Sequence, residues 1–174
     1  PFNLQYYKPG HPETEVAYMG CRTRVMGNVC GEETAPGRGN LSFTSINLPR
    51  LAIEARGNEG YFFIDLDHIL RRVCKQLLNR YLVQASRRVR NFPFLMGEGV
   101  WRGAEKLGPD DTLEEALKQG TLSIGFVGLA ETLKLLTGRH HGESEEAQKL
   151  GLRIVGYIRD FCDESSKAYG LNFT

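Results

Sequence analysis

Hydrophobic and polar positions along this chain switch between two periods. Over 41–48 the run Leu-Ser-Phe-Thr-Ser-Ile-Asn-Leu alternates with period 2 and predicts a strand with one apolar and one polar face. Pro49 suits the first turn of a short helix running to Ala55, and Gly57 and Gly60 break it. A long helix is predicted over 65–91, because Leu66, Leu70, Val73, Leu77 and Tyr81 recur at helical spacing and form one buried stripe. Phe92-Pro93-Phe94 stops it. Residues 97–112 read as a glycine-rich loop, with Asp111 or Thr112 capping a short helix over 113–118.

The alternating pattern returns over 120–126, a second strand, and 128–137 is helical until Gly138 ends it. Ser144 caps a further helix whose stripe is Ala147, Leu150, Ile154, Val155, Ile158, Phe161 and Cys162. Gly170 terminates that helix, and 171–174 begin a third strand. Residues 1–40 carry no helical stripe. Pro9-Gly10, Gly27-Asn28 and Pro36-Gly37 punctuate a long loop with a short strand around 17–19. Strand, helix, strand, helix, strand with long connections is the pattern of parallel βαβ units, so the fold class is α/β. The expected organisation is a loop region over 1–40 followed by βαβαβ units over 41–174. Three strands do not close a barrel.

Composition narrows the picture only slightly. The 174 residues carry 22 basic and 21 acidic side chains, which leaves no broad footprint for nucleic acid or a membrane surface. The run Arg87-Arg88-Val89-Arg90 lies near a predicted helix end, where cations complement the dipole, although an anion site is the other reading. No apolar run approaches the ~20 residues that span a bilayer, and the opening Pro1-Phe2-Asn3-Leu4 lacks the form of a signal peptide. Cys21, Cys30, Cys74 and Cys162 fall at wide, uneven spacings that make neither a zinc pattern nor a disulfide scaffold, and a reducing cytoplasm is expected. Cys74 and Cys162 sit on apolar helical faces and are expected to pack as small hydrophobes.

Cys21 is the residue with the clearest chemistry. It lies in Tyr18-Met19-Gly20-Cys21-Arg22-Thr23, a thiol on a short turn, followed by a glycine-rich loop and then Gly39-Asn40-Leu41-Ser42-Phe43-Thr44-Ser45-Ile46-Asn47-Leu48-Pro49-Arg50. Together with the 120–131 segment, these stretches resemble the large subunit of the anaerobic, glycyl-radical ribonucleotide reductases. The resemblance implies a partial (half-)barrel of parallel strands and helices, cut from a ten-strand glycyl-radical-enzyme barrel, with an N-terminal finger loop. It implies that Cys21 carries a transient thiyl radical. An S–H bond is weak enough to exchange hydrogen atoms with both a glycyl carbon and a sugar carbon, and Gly20 allows close backbone approach at a tight turn. The resemblance also gives Asn40 the place of a polar group beside the ribose 3′-hydroxyl, with Asn47 as the rival. Gly20 and Arg22 flank the cysteine in the substrate-binding loop.

Ser42, Thr44 and Asn47 face either the barrel interior or its outside, because a register slip of one residue exchanges the faces. Ser123 and the turn Gly125-Phe126-Val127-Gly128 end a strand and open a helix, a position where α/β folds place ligands, so Ser123, Gly125, Phe126 and Gly128 are candidate base or phosphate contacts. Close helix–strand packing is the competing role of those glycines. His140 and His141 lack metal-ligand partners at helical spacing and read as a solvated turn, His68 as core or cap, and Glu131 as a first-turn helix charge.

The resemblance further implies a ribonucleoside triphosphate substrate, formate as reductant, a radical-SAM activase and a homodimer. It places the glycyl radical and a structural zinc elsewhere in a full-length chain, so these residues are expected to be an internal piece without turnover of its own. Two alternatives stand beside it. A glycyl-radical acyl lyase similar to pyruvate formate-lyase shares the barrel, but uses two adjacent cysteines where this chain has Cys21-Arg22. A non-catalytic interaction module would use the loop only for packing.

Overall fold

A computed structural model describes residues 8–11, 17–19, 23–25, 27–34 and 36–174. Its elements run β1 (Ala17–Met19), β2 (Thr23–Val25), β3 (Asn40–Asn47), α1 (Leu48–Ala55), α2 (Glu59–Ala85), α3 (Pro93–Gly97), α4 (Glu114–Leu117), β4 (Thr121–Val127), α5 (Leu129–Thr137), α6 (Glu145–Tyr169) and β5 (Asn172–Phe173). Strands β1 and β2 form an antiparallel pair, and a separate three-stranded sheet has the order β3-β4-β5. Strand β5 pairs parallel to β4, with Thr121 opposite Asn172 and Leu122 opposite Phe173. The α/β class and the parallel connections agree with the sequence pattern, and the three-stranded sheet is consistent with part of a barrel. The chain divides into two compact units, one of 1–42, 78–122 and 165–173, the other of 43–77, 123–164 and 174.

In the second unit, α1 starts where Asn47 accepts a hydrogen bond from the Arg50 N–H on its side-chain oxygen (3.2 Å) and Pro49 occupies the first turn. Helices α1 and α5 pack side by side. Helix α2 begins at Glu59, six residues before the expected 65, because Asn58 caps it: its side chain accepts from the Tyr61 N–H (3.1 Å) and its carbonyl from the Phe62 N–H. Gly60 therefore lies in a first turn, where its backbone freedom costs little, rather than breaking the chain. Tyr157 of α6 donates to Asp67 of α2 (3.2 Å), Phe63 meets Tyr157 edge to face, and Arg153 pairs with Glu59 over the Phe63 ring.

In the first unit, Tyr81 and Ala85 continue the buried stripe of α2, which ends at Ala85 instead of 91. The chain leaves the helix because 87–90 pair with 109–113: Val89 N–H donates to Asp111, Arg90 N–H to Pro109 and Leu113 N–H to Arg87. The arginine run is engaged there, with Arg88 donating to the Asp110 carbonyl and Arg90 ion-paired to the Asp110 carboxylate at 2.7 Å. Neither Asp111 nor Thr112 caps α4. Its N-cap is Leu113, and the Asp111 carboxylate turns back to accept the Gly108 N–H at 2.7 Å. Ser144 does cap α6, accepting from Ala147 N–H, and Gly138 and Gly170 end α5 and α6 with positive φ. Cys74 and Cys162 are buried as expected, whereas Val155, assigned to the buried stripe of α6, is exposed. No helix of the described residues is long and apolar enough to cross a membrane.

Candidate active site

The register of the first hairpin fixes where the cysteine lies in the chain. Ala17 pairs with Val25, Tyr18 with Arg24 and Met19 with Thr23, which leaves Gly20, Cys21 and Arg22 as the three-residue connection. These three site candidates lie outside the described residues.

The chain that follows the hairpin is anchored by side-chain hydrogen bonds. Arg38, buried, donates to the carbonyls of Gln119 (2.8 Å), Thr34 (3.1 Å) and Gly27 (3.0 Å). Asn172 at the start of β5 donates to Asn28 Oδ1 and to the carbonyls of Lys118 and Gly120, and accepts from the Val29 N–H. A Cβ on Gly39 would stand 2.8 Å from the Trp101 ring, so only glycine passes there. Residues 27–39 are thus tied to the beginnings of β4 and β5, and they deliver the chain to Asn40. Cys30 lies in this segment with its thiol donating to the Gly170 carbonyl (3.1 Å), and burial pushes its pKa up, the direction of an unreactive thiol.

Strand β3 separates the candidates. Alternation sets Asn40 with Ser42, Thr44 and Ile46, and Leu41 with Phe43, Ser45 and Asn47. The first set turns toward helices: Ser42 Oγ accepts from Arg80 of α2 at 3.1 Å, and Ile46 is buried. The second set is open, with Phe43 68% exposed. The apolar and polar positions of β3 are therefore shared between its faces, and the clean division expected from the sequence does not hold. Of the two rival asparagines, Asn47 spends its side-chain oxygen on the α1 cap, while Asn40 is exposed at the first position of the strand.

On β4, Thr121, Ser123, Gly125 and Val127 share one face. A Cβ on Gly125 would lie 3.2 Å from Ser45 Oγ, so this face of β4 continues that of Ser45 on β3. Ser42 is not brought to it. Thr121 and Ser123 are buried, and neither hydroxyl has a hydrogen-bond partner among the described residues. Ser45 and Thr121 escaped the sequence reading; the signal was the recurrence of small polar residues at alternate positions of both strands. Beyond β4, Gly128 adopts φ 76° as the N-cap of α5, and its role is packing, since a Cβ would fall 2.3 Å from the Pro49 ring.

A cleft of about 440 Å³ opens on the helical side, between Asn47, Arg50 and Glu54 and, from α2, Asp65, His68 and Arg72. Apart from Asn47, none of the site candidates lines it. Among the described residues no three His, Cys, Asp or Glu side chains could hold a metal ion, and His140 is used locally, its Nδ1 accepting from Gly142 N–H.

Residues 2–174 match the sequence model of a family described as anaerobic ribonucleoside-triphosphate reductase. The chain is similar to the anaerobic ribonucleoside-triphosphate reductase of Escherichia coli K12, 35% identical over 161 residues, which is 90% of this chain and 22% of that protein. It is 31% identical to the protein of the same description from Haemophilus influenzae, over 91% of this chain and 22% of the relative. With that of enterobacteria phage T4 it shares 28% identity, over 91% of this chain and 26% of the relative. The chain therefore spans about a quarter or less of the length of these relatives.

Proposed function

The chain belongs to the anaerobic ribonucleoside-triphosphate reductase family, and on that premise we propose that it forms the part of a reductase's catalytic barrel that carries the radical cysteine. The observation that carries this reading is the hairpin register, in which the strands on either side of Gly20-Cys21-Arg22 pair with each other. In the proposed mechanism the Cys21 thiyl takes the 3′-hydrogen atom of a bound ribonucleoside triphosphate. Asn40 holds the 3′-hydroxyl while the neighbouring carbon bears the radical. The 2′-hydroxyl takes up a proton and leaves as water, formate supplies two electrons and the hydrogen that replaces it at C2′ and departs as carbon dioxide, and Cys21 returns the hydrogen atom to C3′. Gly20 and Arg22 shape the loop, and Ser123 and Gly125, on one face of β4, and Phe126, near its end, flank the approach of the nucleotide. The open face of the sheet, set with small polar side chains, would be the barrel's interior, which Asn40 would reach from the head of β3, where it is itself exposed, and helices cover the other side.

The glycyl radical that generates the thiyl, and a structural zinc, are assigned to other parts of the full-length protein, which we take to be a cytoplasmic homodimer activated by a radical-SAM enzyme. The test uses that full-length protein, anaerobically activated and supplied with formate and a ribonucleoside triphosphate. Deoxynucleotide should form. Cys21→Ser should abolish it while the glycyl radical signal in electron paramagnetic resonance persists. Residues 1–174 alone should yield no product. A full-length protein that holds its radical yet makes no deoxynucleotide overturns the reading.

A further inference from the structure

The cleft between α1 and α2 lies wholly within the second unit, and none of the residues used by the reductase reading lines it. Its volume, about 440 Å³, falls in the range of small-molecule sites, roughly 300–1,000 Å³. Ile46 and Leu51, both buried, give it an apolar lining together with Ile69. Its charges are arranged unevenly. On α1, Arg50 and Glu54 are ion-paired to each other at 2.9 Å and offset one another. On α2, Asp65, His68 and Arg72 follow at steps of three and four along the opposite wall, and none of them has a hydrogen bond or ion pair with another described residue. That wall therefore presents one carboxylate and one guanidinium without partners, two helical turns apart, or about 10 Å at ~1.5 Å per residue. Long side chains on a helix lean toward its N-terminus, which carries the guanidinium back toward Asp65.

The two signs select the ligand. A simple anion would face the Asp65 carboxylate, a simple cation would face Arg72, and a wholly apolar molecule would cover both charges without partnering either. A molecule with an ammonium at one end, a carboxylate at the other and an apolar body between them matches the wall and the lining together. A dipeptide has the right length, since two extended residues span about 7 Å. We propose that this cleft is a binding site for a small zwitterion of dipeptide size. Its ammonium pairs with Asp65, its carboxylate with Arg72, and its apolar side chains lie against Ile46, Leu51 and Ile69.

The experiment measures equilibrium binding of three probes to the full-length protein at low salt, where exposed ion pairs are least screened. The probes are leucyl-leucine, its N-acetyl derivative and its C-terminal amide. Wild type should bind the free dipeptide about threefold more tightly than either blocked form, the size of a solvent-screened ion pair. Asp65→Asn should abolish the preference over the N-acetyl form and keep the preference over the amide. Arg72→Gln should do the reverse. Both residues lie on the rim and neither is buried, so the folded state survives each change. A general loss of structure would weaken all three probes alike and could not produce this crossed pattern. No binding of the free dipeptide by wild type, equal binding of the three probes, or variants that weaken all probes alike or none overturns the proposal. Deoxynucleotide formation enters none of these outcomes, so the reductase reading stands or falls separately.

Discussion

Gly128 and Pro49 approach so closely that a Cβ on the glycine would sit 2.3 Å from the proline Cγ. The contact joins the turn between β4 and α5 to the first turn of α1, and it is possible only because Gly128 has no side chain and adopts φ 76°. Gly138, at the other end of the same helix, has φ 83° but nothing within 4 Å of its Cβ position. The two glycines separate backbone strain from steric exclusion. Gly138→Ala should cost about 1 kcal/mol, the penalty of a left-handed alanine. Gly128→Ala should add overpacking to that and cost about 3 kcal/mol or more, measured by denaturant unfolding.

Asn172 anchors the loop that leads into β3. Its amide satisfies three oxygens, those of Asn28, Lys118 and Gly120, while its own oxygen takes the Val29 N–H. Asn172→Ala should therefore lower stability by about 3 kcal/mol, since several buried groups lose their partner at once. Asn172→Asp should be at least as damaging, because a carboxylate oxygen would replace a donor facing three acceptors. Hydrogen exchange at the Val29 amide checks the local part of this expectation: it should accelerate in both variants.

Much of this architecture could be read from the residues, and the failures have local causes. The stripes of α2 and most of α6, the Ser144 cap and the strand boundaries follow from side-chain period and capping chemistry. Helix α2 begins earlier than expected because Asn58 caps it, and a glycine in a first turn is cheap. It ended earlier because 87–90 find backbone partners in 109–113, a pairing between segments that no period reveals. The same limit hid the site. That Ser42 meets Arg80 while Ser45 faces Gly125 depends on the strand's register against neighbours remote in sequence. Phe43 is open for a related reason: hydrophobicity says that a residue prefers burial, but not which polypeptide buries it.

Alkaline pH should unfold the chain through its buried acids. Burial pushes the Cys162 thiol from 9.0 up to about 12 and, with Glu114 adding to the effect, the Tyr81 phenol from 10.0 up to about 12. Both groups are neutral when protonated, and the folded state holds their protons more tightly than the unfolded chain does. Their contribution is complete below pH 9 and disappears as pH rises toward 12. Unfolding free energy measured against pH should be flat up to about pH 8.5 and fall beyond it. Cys162→Ala should remove the part of the slope that begins near 9 and leave the part that begins near 10. An unchanged slope would count against a buried thiol at this position.

The two asparagines of β3 should separate stability from catalysis. Asn47 accepts the Arg50 N–H and caps α1, so Asn47→Ala should lower stability by about 1 kcal/mol, with turnover by the full-length protein changed little. Asn40 is exposed at the head of the strand and holds no such post in the fold. Asn40→Ala should leave the melting temperature of the chain within a degree or two, because exposed polar truncations are nearly neutral. In the proposed reductase, however, its amide stabilises charge at the 3′-hydroxyl as the radical forms. Removing such a donor typically costs about 100-fold or more in turnover. Deoxynucleotide formation and thermal unfolding, measured on both variants, give opposite rankings if these roles are right. A cap variant that loses turnover as severely as Asn40→Ala would instead place Asn47 beside the substrate.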